Sequence, residues 1–270
     1  MPELPEVETI RKQIQAVLPI TITQCVQSTH INSIAHTPIQ LVQRQIISAH
    51  RKGKLLYFAL DQNEFMLSHL GMSGQWRIAT QPPQDRLAQK HTHLLMHHDQ
   101  GVLAYVDPRR FGHLYQLNAE QTQEKLDTLG ADISTDSYTV AYLKQTIRKY
   151  PKRMIKVHLL DQKMYAGTGN YIANEICARA GVLPMRLNQS LKNSEIEALH
   201  KATAIVIEGA TDSGGTTFQG GYADTTGSKG AGVSHLVVFY QKICRLCHKT
   251  EVTKIFLGQR GTYYCKNCQK

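Results

Sequence analysis

The chain opens Met1-Pro2-Glu3-Leu4-Pro5-Glu6-Val7-Glu8, and with the initiator Met removed its first atom is the ring nitrogen of Pro2. A free α-amine has a reference pKa near ~8. A useful fraction is then unprotonated near neutral pH and can attack an electrophilic carbon, with the Glu3 carboxyl beside it to supply a proton. Near the other end, Cys244-Arg245-Leu246-Cys247 and Cys265-Lys266-Asn267-Cys268 make two C-x-x-C pairs separated by seventeen residues. That spacing suits four thiolates around one structural zinc ion. Disulfides are the alternative, disfavoured in a reducing compartment. Cys25 and Cys177 have no such partners and read as small buried apolar residues.

An amine at the chain start needs an element to hold it. Pro5 suits the first turn of a helix, and Val7, Ile10, Ile14, Val17 and Leu18 recur at helical spacing. The amine would therefore sit at the positive end of a helix dipole, which disfavours the ammonium form and lowers its pKa. After that helix the pattern turns to strands, over 21–28, 55–60, 64–70, 75–80, 93–97, 102–107 and 113–117, with turn signals such as Asp61-Gln62-Asn63 and Asp99-Gln100-Gly101 between them. Seven short strands at this spacing predict a β-sandwich.

Three loops carry residues that a plain sandwich does not need: Arg51-Lys52-Gly53-Lys54, His69-Leu70-Gly71-Met72-Ser73-Gly74 and Asp107-Pro108-Arg109-Arg110-Phe111-Gly112. Taken singly, each is a turn with a hydrophobic anchor or a solvated edge. Together, apolar side chains on loops with an arginine beside them are what a protein needs to wedge into a base stack and fill the space of an extruded nucleotide. The charge agrees with such a partner. Thirty-one Lys and Arg against twenty-one Asp and Glu give +10 and a pI of about 9.3, which predicts binding to an acidic polymer. No apolar run approaches the ~18 residues of a spanning helix, and an acidic first turn is wrong for a signal peptide. These features predict a cytoplasmic protein with no membrane association.

From 117 to 138 the pattern weakens, and the linker between domains is placed there. Beyond it the period becomes helical, first over 140–150. The basic cluster Lys149, Lys152, Arg153 and Lys156 leads to Gly167-Thr168-Gly169-Asn170, a glycine turn opening a helix, whose free backbone N–H groups suit a phosphate. A later helix is predicted to start at Ser194, with Ser194 and Glu197 as a capping box and Ile196, Leu199, Ala202 and Ile205 as its buried stripe. Residues 214–232 hold seven glycines in nineteen and read as a mobile segment. Between the cysteine pairs, two β-rich runs flank Gly258-Gln259-Arg260-Gly261, which predicts a metal-held hairpin with an arginine at its tip.

The run Pro2-Glu3-Leu4-Pro5-Glu6-Val7-Glu8-Thr9, the loops at Lys54, Met72 and Arg109-Phe111, the Gly-x-Gly-Asn170 turn and the cysteine hairpin together resemble the bacterial formamidopyrimidine-DNA glycosylases over nearly the whole chain. The resemblance implies an α+β multidomain fold: a catalytic β-sandwich with an N-terminal helix (1–130), a helix-two-turn-helix domain (131–235) and a zinc finger (236–270). It also implies a bifunctional glycosylase and abasic-site lyase that removes oxidised purines, 8-oxoguanine and formamidopyrimidines, from duplex DNA. Pro2 would be the catalytic amine, Glu3 the acid, Glu6 a carboxylate behind it or touching the lesion, and Lys54 and Arg260 the cations assisting elimination of the phosphates. Met72, Arg109 and Phe111 would fill the duplex, and His91, Lys152 and Asn170 would hold its backbone. The glycine-rich loop would fold over the extruded base. Zinc on Cys244, Cys247, Cys265 and Cys268 would be structural, and the enzyme a monomer. Two other readings stay open: the endonuclease VIII type, which shares the architecture but usually begins Pro-Glu-Gly-Pro-Glu where this chain has Leu4, and a non-catalytic binder of damaged DNA.

Overall fold

The computed structural model describes residues 2–218 and 222–270. The removal of Met1, and the Gly220-Gly221 pair of the glycine-rich segment, lie outside the described residues. The chain divides into two compact units, Met1–Thr128 with Ser213–Ala231, and Leu129–Asp212 with Gly232–Lys270.

The first unit begins with helix α1 (Leu4–Gln15), capped at Glu3, whose N–H donates to the Glu6 side chain at 2.7 Å. Leu4, Val7, Ile10 and Ile14 are fully buried on one stripe, so the apolar spacing does what it predicts. Eight strands follow: β1 (Ile20–Gln27), β2 (Gln45–Lys52), β3 (Leu55–Leu60), β4 (Glu64–His69), β5 (Gln75–Ala79), β6 (Thr92–His98), β7 (Gly101–Val106) and β8 (His113–Asn118). Two short helices, α2 (Arg86–His91) and α3 (Ala119–Asp127), complete the series. The ladder runs β5-β7-β6-β1-β2-β3-β4-β8 and is antiparallel throughout. It folds at β1, whose first residues pair with β2 and whose later ones pair with β6. The inner faces of the two halves meet in one core, where Phe58 packs edge-on to Trp76 at 5.5 Å and Trp76 to Tyr105 at 5.1 Å. This is the expected sandwich.

In this part of the chain three features differ from the sequence reading. Strand β2 was absent from it because Gln45, Ile47 and His50 are exposed, Arg51 and Lys52 are charged, and a register shift between Ile46 and Ser48 interrupts the alternation. The stretch placed as a linker at 117–138 contains α3, which starts with a capping box between Asn118 and Gln121; its polar surface hides a single apolar contact at Leu126. Over its described residues the glycine-rich segment is pinned rather than loose. Ser213 and Ala231 bond at its root, Gly230 N–H donates to Thr217 Oγ1, and Tyr222 enters the sandwich core.

The second unit holds β9 (Ala131–Asp132), α4 (Val140–Lys149), α5 (Ile155–Leu159), β10 (Tyr165–Ala166), α6 (Asn170–Arg179), α7 (Asn193–Asp212) and the hairpin β11 (Thr253–Leu257) with β12 (Arg260–Tyr264). The helix that the period change predicts from 140 is α4, and Thr139 caps it. Helix α7 is not capped by Ser194 and Glu197. Glu195 folds back instead to accept the Lys192 N–H at 2.7 Å, and the buried stripe runs through Ile196, Leu199, Thr203, Val206 and Ala210, leaving Ile205 exposed. An i, i+3, i+7 series from Ile196 selects Val206 rather than Ile205.

Candidate functional site

In the first unit, Pro2 is buried directly ahead of the cap residue Glu3, and Glu3 and Glu6 are buried with it. Glu6 is held at both oxygens. Oε2 accepts the Glu3 N–H at 2.7 Å and Oε1 accepts the Thr216 N–H at 2.6 Å. The adjoining Gly215 has φ +88°, and a side chain there would press on Glu6 and Tyr222. Glu6 therefore fixes the helix start and fastens the root of the glycine-rich segment to it. Farther along α1, Gln13 accepts from the Thr225 N–H and hydroxyl at 3.0 and 2.7 Å and donates to Asp224 at 2.8 Å. One helix thus carries the Pro2 start and two attachments of the segment, and β5 adds another where the Ile78 N–H donates to the Thr225 carbonyl at 3.0 Å.

The same helix lies on the hairpin that bears Lys54. Gln15 and Arg11 bond the backbone of Ala49, while Glu8, nearer the helix start, accepts from Arg51 at 2.9 Å. Moving toward Pro2 along α1 thus means moving along β2 toward its turn with β3. Gly53 (φ +59°) and Lys54 form that two-residue turn, with Lys52 paired to Leu55 and Arg51 donating to the Gly53 carbonyl at 3.0 Å. Lys54 is buried, and its charge acts on His69: burial first, then Lys54 and His113, bring the His69 imidazole down to about 4.

The second and third loops meet. Gly71 (φ +57°) lies so close to the Phe111 carbonyl that any side chain would collide with it. The buried Asp107 carboxylate ties the loops together. Oδ1 accepts from the Ser73 hydroxyl at 2.5 Å and the Arg109 N–H at 3.3 Å, and Oδ2 accepts from the Gly112 N–H at 2.8 Å. Its own N–H donates to the His91 carbonyl, and its carbonyl contacts His93 Nε2 at 3.0 Å. What this scaffold presents outward is Met72, 45% exposed, and Phe111, 48% exposed, with the Arg109 guanidinium 4.7 Å from the Phe111 ring centre. Two large apolar groups in water around a cation have no folding use there.

The second unit gathers Asn170, Arg260 and the cysteines. Asn170 opens α6 behind Gly169, so the first N–H groups of the helix have no intrahelical acceptor. Its Oδ1 accepts from Lys156 Nζ at 2.9 Å, and its Nδ2 donates to the Gly261 carbonyl at 3.0 Å. Lys156 also donates to Thr262 Oγ1 at 2.7 Å. The basic cluster therefore splits: Lys152 faces solvent, as a phosphate contact must, whereas Lys156 is buried and sets the hairpin against α6. Arg260 is exposed and stands one residue past the turn, which is made by Gly258 and Gln259, both at positive φ.

The four cysteine sulfurs lie within 4.8 Å of one another, with Cys244 to Cys268 at 3.9 Å and Cys247 to Cys265 at 3.8 Å. A tetrahedron with Zn–S bonds of ~2.3 Å has edges of about 3.8 Å, so these sulfurs fit one zinc ion. Backbone N–H groups of Lys249 and Thr250 draw the Cys247 thiol down, whereas burial and the neighbouring thiols push those of Cys244 and Cys268 up, as four sulfurs crowded together without a cation must. Burial pushes the Cys177 thiol up to about 12.

Residues 1–114 match the family model for the formamidopyrimidine-DNA glycosylase N-terminal domain, and 129–220 match its H2TH domain. The formamidopyrimidine-DNA glycosylase of Listeria monocytogenes is 35% identical, with 100% of each chain covered. That of Proteus mirabilis is also 35% identical, over 100% of this chain and 98% of the relative. Among solved structures, the Fpg protein of Thermus thermophilus superposes with a TM-score of 0.88 at 30% identity, covering 99% of this chain and 98% of the other. The Lactococcus lactis Fpg, solved with DNA containing an abasic site, gives 0.89 at 29% identity over 100% of both. The chain belongs to the formamidopyrimidine-DNA glycosylase family.

As a member of that family it is a DNA glycosylase of DNA repair with a DNA-binding fold. Among the described residues, no helix of this glycosylase is long and apolar enough to cross a membrane. The sequence alone gave no role to Asp107, Ser73 and Gln13, and Lys156 read only as one member of a basic cluster. Asp107 opens the Asp-Pro-Arg-Arg-Phe-Gly loop, but an acidic residue before Pro-Arg-Arg reads as a turn residue. Only its burial against Ser73, 34 positions away, reveals what it holds.

Proposed function

We propose that this glycosylase is bifunctional, excising oxidised purines such as 8-oxoguanine and formamidopyrimidines from duplex DNA and then cleaving the strand at the abasic sugar. The nitrogen of Pro2, freed by loss of Met1, attacks C1′ of the damaged deoxynucleotide. The C1′–N bond breaks, its electron pair leaves with the base, and the base takes up a proton. Glu3 is the acid that serves the sugar oxygen or the leaving group. Opening of the ring gives an iminium between Pro2 and C1′. Loss of a C2′ proton then expels the 3′ phosphate, and a second elimination expels the 5′ phosphate, with Lys54 and Arg260 as the assisting cations.

The observation that carries this reading is the start of α1. Pro2 and Glu3 are buried at the positive end of a helix, where an ammonium is disfavoured and an amine nucleophile favoured. Glu6 is assigned a supporting role rather than a chemical one, because both of its oxygens already accept backbone N–H groups. Met72, Arg109 and Phe111 form the wedge, and His91, Lys152 and Asn170 contact the DNA backbone. Leu4 at the third position after Met1 favours the purine branch over the endonuclease VIII type.

Borohydride trapping tests the chemistry. Reduction of the iminium during turnover should join protein to DNA, and digestion should yield the sugar on Pro2. Lys54 is the competing amine, and an unperturbed lysine near ~10.4 is almost wholly protonated at neutral pH. Sugar on Lys54, or on any residue but Pro2, overturns the mechanism, and absence of trapping together with absence of base release favours a silent binder.

A further inference from the structure

The zinc hairpin carries a second row of side chains that neither the cysteines nor Asn170 use. Lys254 and Phe256 are two apart on β11 and so share a face. Both are exposed, Phe256 to 70%. Across the ladder they stand opposite Tyr263 and Gly261. Lys254 Nζ lies 5.7 Å from the Phe256 ring centre and 5.4 Å from that of Tyr263, and Tyr263 lies 5.2 Å from Tyr240, itself 63% exposed. The exposed strip is thus Phe256, Lys254 and Tyr240, set around Tyr263, which is itself buried at 6% exposure. Arg260, paired with Leu257, belongs to the same hairpin but by strand alternation lies on its other face, and neither strand of the hairpin contains an acidic residue.

An aromatic ring opposite a glycine often serves to cover it. Phe256 does not: a side chain on Gly261 would meet Tyr263 at 3.5 Å and Lys254 at 3.8 Å, and Phe256 is not among its nearest atoms. The ring is therefore presented to solvent with no packing duty. Rings interleaved with cations suit the faces and phosphates of a nucleic acid strand, whereas lysine is depleted at the centres of protein interfaces.

We propose that Phe256 and Lys254 form a second DNA contact of the hairpin, with the Phe256 ring packed on the face of a deoxyribose or base and Lys254 paired with a phosphate of the same strand. The inference rests on the reading above that the Arg260 hairpin faces DNA. Trp76 is the only tryptophan of the chain and is fully buried, so Phe256→Trp introduces the one solvent-facing indole. Its emission should be quenched on titration with a duplex carrying a reduced abasic site. Phe256→Ala should weaken binding by about fivefold or more without changing the dependence of affinity on salt, while Lys254→Ala should flatten that salt slope by about one. Zinc content and thermal midpoint should stay at wild-type values in all three, because the side chains are exposed.

Arg260→Ala is measured alongside. If it loses affinity while the indole is unquenched at saturation and the two alanine variants bind normally, the strip is no DNA contact and the proposal falls, leaving the assignment of Arg260 intact. If Arg260→Ala also binds normally, the hairpin does not face DNA and both readings fall. Self-association in sedimentation velocity that Phe256→Ala abolishes would assign the face to a second copy of the chain and overturn the DNA contact.

Discussion

Asp107 offers the sharpest test of how the wedge is built. Its carboxylate is fully buried and joins Ser73, Arg109 and Gly112. Hydrogen bonds to a charged group contribute about 1.5–3 kcal/mol each, and a buried donor left without an acceptor costs about 1–3 kcal/mol. Asp107→Ala removes two well-formed bonds and strands the Gly112 N–H, since the Arg109 contact at 3.3 Å is long. The three share one group and are not additive, so a loss of about 3–5 kcal/mol is expected. Asp107→Asn can turn its oxygen to Gly112 and its amide to the Ser73 hydroxyl, forfeiting mainly charge assistance, at about 1–2 kcal/mol. Urea unfolding reads both values. Single-turnover kinetics should then show Asp107→Asn losing more on a paired lesion than on a preformed abasic site, because only the former needs the wedge to do extrusion work of a few kcal/mol. An Asp107→Ala protein within about 0.5 kcal/mol of wild type, or equal kinetic losses of Asp107→Asn on the two substrates, would refute the argument.

Other consequences are equally open to measurement. Cys265→Ser and Cys247→Ser should each release zinc and weaken DNA binding, because the hairpin has little core of its own; metal analysis finding full zinc in both variants would contradict the site. Gln13→Ala removes the acceptor of the Thr225 N–H and should speed hydrogen exchange at that amide by about tenfold, an effect absent if the segment is held by its root alone. His158 is fully buried, and burial with the nearby Arg153 brings it down to about 4, below its ordinary 6.5. The unfolded chain therefore takes up this proton first as pH falls, so the stability is complete above 6.5 and is lost toward 4, to the extent of about 3 kcal/mol. His158→Gln should flatten that acid limb by roughly one proton. His69 titrates in the same window and leaves a residual slope.

Much of this glycosylase was legible in its residues because the signals are local. The stripe of α1, the turn-bounded strands, the paired C-x-x-C spacing and the basic charge each depend on neighbours within a turn or a hairpin, and periodicity exposes them. The loops of Met72, Arg109 and Phe111 could be singled out for the same reason. What periodicity could not supply is which loops meet and what fastens them. The Glu6 carboxylate binds a backbone N–H 210 positions away, Gln13 binds one 212 positions away, and Lys156 reaches Thr262 across 106. Such polar ties leave no periodic trace, since a single buried acceptor or cation in a sequence looks like any surface residue until burial removes the water it would otherwise bond. For the same reason β2, outwardly polar and interrupted by a bulge, and α3, with one apolar contact, were hidden in the sequence. The glycine-rich segment read as mobile because composition reports how little apolar surface it can bury. Its anchoring was decided by acceptors that only the tertiary structure brings to it.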